Sequence, residues 1–220
     1  MFSYVLSKIF WYSNNMPGRN IRKDDVAESY YHVYARGVNK QDIFLDASDY
    51  AFFLYLIKRY LSRSETQPRR GADYPKLYED IELLTYCLMQ NHFHLLVYQI
   101  HEKGMERLMR RVMTSYSGYF NRKYGRSGPL FESRYRASRI TNATYLLHSS
   151  RSIHLNPTDW RQYSYSSLRT YRGETSPDWL TIQRITDMYD SKQQYFEFLE
   201  DYQETRDDMH IIKHELANNN

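Results

Sequence analysis

Leu88-Met89-Gln90-Asn91-His92-Phe93-His94-Leu95-Leu96-Val97 is the stretch on which the reading of this 220-residue chain turns. Before it, Ile81–Met89 is an apolar run rich in strand formers. Gln90-Asn91 punctuates that run, and a second β-prone run follows over 92–98. The pattern predicts an antiparallel strand pair. In a strand, residues i and i+2 leave the same face. His92 and His94 then stand side by side while Phe93 turns to the core. Two neutral imidazoles so placed can share one divalent cation. Two half-buried histidines satisfied by hydrogen bonds are the alternative, and the pair alone favours it, since two-residue motifs arise often by chance.

Working outward, residues 30–37 are β-prone and end in Gly37, which predicts another strand. Asp46 or Ser48 then caps a helix in which Tyr50, Phe53, Leu54, Ile57 and Leu61 recur at helical spacing. Residues 62–78, with Arg69, Arg70, Gly71 and Pro75, read as a polar loop. Met105, Leu108, Met109, Val112, Tyr116, Tyr119 and Phe120 trace one face of a long helix ending near Tyr124-Gly125. Residues 133–140 can form a strand. Asn142 or Thr144 then caps a helix running to about Asn156, where Pro157 stops it. The order βαββαβ plus a helix predicts an α+β fold, a ferredoxin-like antiparallel sheet with helices on one face and a C-terminal helical extension. The expected divisions are a poorly ordered extension over 1–22, one domain over 23–160 and the helical extension over 161–220. Residues 1–15 read as an extension from an upstream start, and their apolar part is short for a signal peptide.

Composition narrows the function. Hydrophobic residues make up 41% and charged residues 25%, which excludes a disordered chain. No apolar run approaches the ~18–20 residues of a membrane helix, so no membrane partner is expected. The single cysteine, Cys87, excludes a disulfide framework and a multi-cysteine zinc site, and fits a reducing compartment. The formal charge is +4, yet residues 107–139 hold nine basic residues against one acid, Glu132, a net of +8. Together with 23 tyrosines, a charge so concentrated fits either a solvated face or a polyanion on whose bases aromatics can stack. Arg122, Lys123 and Arg126 sit at the end of the long helix. Arg134 and Arg136 share one face of the expected strand, and Arg139 follows near its end; such a face can track a phosphate backbone.

The decisive stretch resembles the histidine–hydrophobe–histidine motif of the HUH endonucleases. More narrowly, it resembles the single-tyrosine transposases and their REP-associated tyrosine transposase relatives, which usually read Met-Pro-Asn-His-x-His-Leu-Leu-Val. Only Gln90 departs, standing where proline is usual. Three further blocks, over 31–39, 115–131 and 153–157, resemble the same family in the same order, so the likeness spans about 29–168. It implies metal-assisted transesterification on single-stranded or hairpin DNA by a homodimer in the cytoplasm, close to the nucleoid. It also implies Mg²⁺ or Mn²⁺ held by His92, His94 and Asn156, and a 5′-phosphotyrosine intermediate that stores the bond energy.

The nucleophile position, four residues before Asn156, holds Ser152 where the family shows tyrosine. A serine hydroxyl reaches less far than a phenol and has a pKa well above ~10. Three accounts remain: a natural binder that lost cleavage, a deliberate Tyr-to-Ser change, or another tyrosine. Tyr145 shares the face but sits two turns (~10 Å) away. The economical expectation is a cleavage-impaired transposase-type endonuclease and strand transferase. The alternatives are a non-catalytic hairpin-DNA-binding protein, and an unrelated hydrolase with a metal on His92, His94 and His148.

Overall fold

The computed structural model describes residues 25–64 and 74–201. The expected extension over 1–22, Arg69, Arg70 and the tail 218–220 lie outside the described residues. The sheet is built outward from a two-residue hairpin. Gln90 and Asn91 join β2 (Ile81–Met89) to β3 (His92–Gln99), with Met89 directly opposite His92. β3 pairs on its other side with β1 (Ser29–Arg36), and β1 pairs with β4 (Arg136–Ile140). All neighbours are antiparallel and the order is β2-β3-β1-β4, the ferredoxin-like βαββαβ arrangement.

The crossover helices cover one face. α1 (Ala47–Leu61) begins in a capping box, in which the Asp46 carboxylate accepts from the backbone N–H of Ser48 and Asp49, and the Asp49 carboxylate from that of Asp46. α2 (Gly104–Lys123) gives way to Gly125, whose φ of +61° suits a residue without a Cβ. Beneath them lie Val33, Phe93 and Leu95 of the sheet, with Phe53 and Tyr116 of the helices, all essentially buried. The opposite face is covered by α3 (Ala143–His154), capped by Asn142, and by the chain beyond it. That chain forms short helices at Leu168–Tyr171 (α4) and Gln183–Thr186 (α5), then helical residues 192–201. Leu84, Leu96 and Ile153 pack there with Trp160, Tyr171 and Tyr195.

The C-terminal segment also closes the outer edge of β2. Leu88 N–H donates to the Tyr165 carbonyl (2.9 Å) and Ser167 N–H to the Tyr86 carbonyl (3.0 Å). The Tyr163 hydroxyl donates to the Leu88 carbonyl (2.6 Å). Edge groups that would otherwise invite another strand are thus satisfied within the chain. No described helix is long and apolar enough to cross a membrane.

One expected strand is shorter than the sequence indicates. Gly37 faces Phe131 while Tyr34 faces Arg136, so five steps of chain oppose three. Residues 132–135 therefore bulge out, and β4 begins at Arg136 rather than at residue 133.

His154 anchors the second face. It is fully buried, with Nδ1 2.7 Å from the Tyr195 hydroxyl and Nε2 2.8 Å from the Ser167 hydroxyl. Burial lowers its pKa to about 3. The unfolded chain takes up this proton near pH 6.5 and the folded chain does not, so the contribution is complete above pH 6.5. It is lost as pH falls towards about 3. In urea titrations between pH 6.5 and 4, His154→Phe should flatten the fall of unfolding free energy by up to ~1.4 kcal/mol per pH unit. An unchanged slope would contradict the assignment.

Candidate functional site

The two-residue period of β3 sets the site. Phe93 points between α1 and α2, its ring 5.0 Å from that of Phe53, with no exposed surface. His92 and His94 therefore project from the other face, their ring centroids 5.0 Å apart and their planes at 85°. Asn156 reaches the same place from α3. The helix ends at His154, and Asn156, two residues on, sets its carboxamide oxygen 3.3 Å from His92 Nε2. The structure thus brings His92 and His94 together on one face, as the strand period predicted, and sets beside them the end of α3, where the resemblance implied Asn156.

Hydrogen bonds fix which nitrogens are free. His92 Nδ1 lies 2.6 Å from the Asn91 carboxamide oxygen, an acceptor, so Nδ1 carries the proton and Nε2 a lone pair. That lone pair faces the Asn156 carboxamide, whose nitrogen can donate to it or whose oxygen can join it as a ligand of one cation. Neighbouring ligands on an octahedral cation with 2.1 Å bonds stand ~3.0 Å apart, close to the observed spacing. His94 Nδ1 is 2.9 Å from Nε2 of His32, a residue to which the sequence reading gave no role. If His94 Nδ1 donates, its Nε2 stays free as a ligand and His32 acts as the partner that orients it. Burial lowers the pKa of all three histidines, His32 to about 4, with neighbouring imidazoles adding to the effect at His94. All three are neutral at neutral pH, the form that binds a metal. Among the described residues no group of three or more His, Cys, Asp or Glu is arranged to hold a metal ion. The ligand set that fits is two imidazoles and one amide, which suits a cation that retains waters.

A cavity of about 270 Å³ opens beside the pair. It is lined by Tyr34, Arg36, His92, His94, Glu132 and Arg136, the bulge before β4 supplying its rim. Arg36 donates to Glu132 at 3.1 Å. Arg136 has no hydrogen-bond or ion-pair partner among the described residues. Tyr34 sits between His94 and Arg136 in the sheet register. His32, Tyr34 and Arg36 alternate along β1, a period-2 signal that placed them on the face opposite Val33 and Ala35 and was readable from sequence.

Other candidates are placed differently. Ser152 is exposed on α3 and does not line the cavity. His148 accepts from Arg151 at 2.6 Å and packs on Phe198, and among the described residues it joins no metal-holding group with His92 and His94. Lys123 is bound to Asp46 and to the buried Asp49, both at 2.7 Å, where it ties α2 to the start of α1. Arg126 donates to Gln41 and Asn121. Arg122 is exposed at the end of α2. Arg134 lies in the bulge, not in the strand, so it does not alternate with Arg136. Arg139, three residues after Arg136, points to the opposite face, opposite Tyr31.

Fold and site define an α+β ferredoxin-like domain with a two-histidine, one-amide site beside a basic cavity. Residues 75–152 match the family described as "Transposase IS200 like", a stretch that holds both histidines and covers about a third of the chain. No curated protein matches the chain. A solved structure, described as a REP-associated tyrosine transposase bound to a REP hairpin, is similar at 14% identity with a TM-score of 0.49. The overlap covers 73% of this chain and 90% of that one.

Replacing His32 with Phe keeps the ring and removes its bond to His94. Mn²⁺ affinity, read by electron paramagnetic resonance titration, should fall ~10–100-fold while the thermal melt still shows a folded chain. Equal affinity in the folded variant would show that His94 needs no such partner.

Proposed function

We propose that this chain is a DNA-processing protein of the IS200-like transposase kind that engages single-stranded or hairpin DNA at the histidine pair. The observation that carries the reading is the convergence of His92 Nε2 and the Asn156 oxygen at 3.3 Å, beside His94 and a cavity with an uncommitted arginine. The match over residues 75–152 supports it. His92, His94 and Asn156 would hold Mg²⁺ or Mn²⁺. That ion, when bound, supplies Lewis-acid polarisation of a phosphoryl oxygen.

The chain's own residues do the rest. Arg136 sets an unpaired guanidinium where a phosphodiester enters, and Arg36 adds a second cation shared with Glu132. Of the six basic residues singled out by sequence, Lys123 alone is paired with carboxylates among the described residues, and Arg136 alone lines the cavity. Ser152 ends the chemistry that the family performs at its position, because its short side chain stands in solvent outside the cavity. The homodimer and the place beside the nucleoid belong to this same reading. A binding protein without cleavage is the second reading, favoured by the exposed Ser152. A hydrolase with His148 as third ligand loses its support, since that imidazole is held by Arg151.

The test is Ser152→Tyr on labelled single strands from the flanks of the gene, with Mn²⁺, on denaturing gels. The variant should raise the yield of covalent protein–DNA product at least tenfold over the chain as it stands. Hairpin binding by both proteins with no covalent product from either would favour the binding protein, and no hairpin binding by either would sink both readings.

A further inference from the structure

The geometry points to Tyr34 as a catalytic nucleophile of this chain, attacking a DNA phosphodiester held in the cavity beside His94. The inference rests on the single-strand DNA reading above and supplies the attacking group that position 152 lacks.

Three observations converge on Tyr34. The register places it on the histidine-bearing face, directly opposite His94 on one neighbouring strand and Arg136 on the other. Its ring centroid is 5.7 Å from that of His94 and 5.6 Å from that of His32. It lines the 270 Å³ cavity together with Arg36, His92 and Arg136, so a phosphate drawn in by the guanidinium groups would meet its side chain.

The hydroxyl is also uncommitted. Several buried or half-buried tyrosines use theirs to hold the fold, whereas Tyr189, also without a hydroxyl partner among the described residues, packs against the cluster under α3 and does not line the cavity. Tyr116 donates to the Ile43 carbonyl, Tyr163 to that of Leu88, and Tyr171 to that of Leu84, while Tyr124 donates to Asp49. Tyr34 makes no hydrogen bond to the described residues, although its ring is half-buried. Tyr145, the alternative drawn from helical spacing, packs against the apolar cluster under α3 and does not line the cavity.

The step balances without an oxidant or a nucleotide. A lone pair of the Tyr34 oxygen forms the new O–P bond, and the P–O3′ bond breaks with its electron pair left on O3′. The phenol proton passes through solvent water to O3′. The products are a 5′-phosphotyrosyl diester on Tyr34 and a free 3′-hydroxyl. The phosphodiester charge is unchanged, and the reverse step rejoins the strand.

The experiment uses the full chain with Mn²⁺ and fluorescent single strands from the flanks of its gene. The chain as it stands is compared with Tyr34→Phe, Tyr145→Phe and Ser152→Tyr. Covalent product is read on denaturing gels and its position by peptide mass mapping. Hairpin binding is read in parallel by anisotropy in EDTA. The expected result is an adduct mapped to residue 34, lost at least 100-fold in Tyr34→Phe and kept in Tyr145→Phe, with hairpin binding by Tyr34→Phe within threefold. An adduct that survives Tyr34→Phe overturns the inference. So does an adduct made by Ser152→Tyr alone, which leaves the DNA-processing reading standing. Absence of hairpin binding by every protein overturns that reading and this inference with it.

Discussion

Phe93 is the side chain on which the site depends. It sits with no exposed surface between the crossover helices, against Phe53 and Phe131, and the strand alternation then leaves His92 and His94 no direction but the opposite face. Slipping β3 by one residue would put a large aromatic among polar groups and two imidazoles into an apolar core. Register is strongly specified where one face is buried in this way. The core and the placement of the imidazole pair are therefore one constraint, and the folding energy of the helix side aims the imidazoles.

The second face turns that direction into a site. His154, buried and bonded to Tyr195 and Ser167, seats the end of α3 against the C-terminal segment. Ser167 in turn bonds Tyr86 of β2. Arg151, stacked over Phe198 and bonded to its carbonyl, braces the same turn of helix. Asn156 follows directly, so its carboxamide is delivered to His92 by packing that extends well past α3. The extension is thus part of what positions the candidate ligand. His32 completes the support from the sheet, holding the ring of His94 from behind.

The basic window shows how charge in sequence is divided by structure. Lys123 spends its charge on a buried carboxylate. Its ammonium holds Asp46 well below the usual carboxylate range, and it keeps Asp49 low against the opposing effect of burial. Arg126 braces a loop, and Arg139 faces away from the histidines. Arg136 alone among these combines the histidine face, the cavity and an open guanidinium. A count of basic residues cannot make this division, because partners such as Asp46 and Asp49 lie more than 70 residues away in the chain.

Local pattern determined a great deal here. The β2–β3 hairpin, caps at Asp46 or Ser48 and at Asn142 or Thr144, a helix stop ahead of Pro157 and the pairing of His92 with His94 all follow from period, capping chemistry and turn residues; the structure caps at Asp46 and Asn142 and ends the last of these helices at His154, two residues before the expected Asn156. Each depends on neighbours within a few positions, so a linear reading reaches it. The bulge over 132–135, the buried role of His154, the closure of the β2 edge and the His32–His94 bond were not readable in that way. They arise from contacts between distant segments, whose register is set by burial on two faces at once. By itself the sequence determined which groups are available and on which side of a strand each stands. Tertiary structure decided which of them meet, because desolvation and hydrogen-bond satisfaction act on atoms that the chain brings together only on folding.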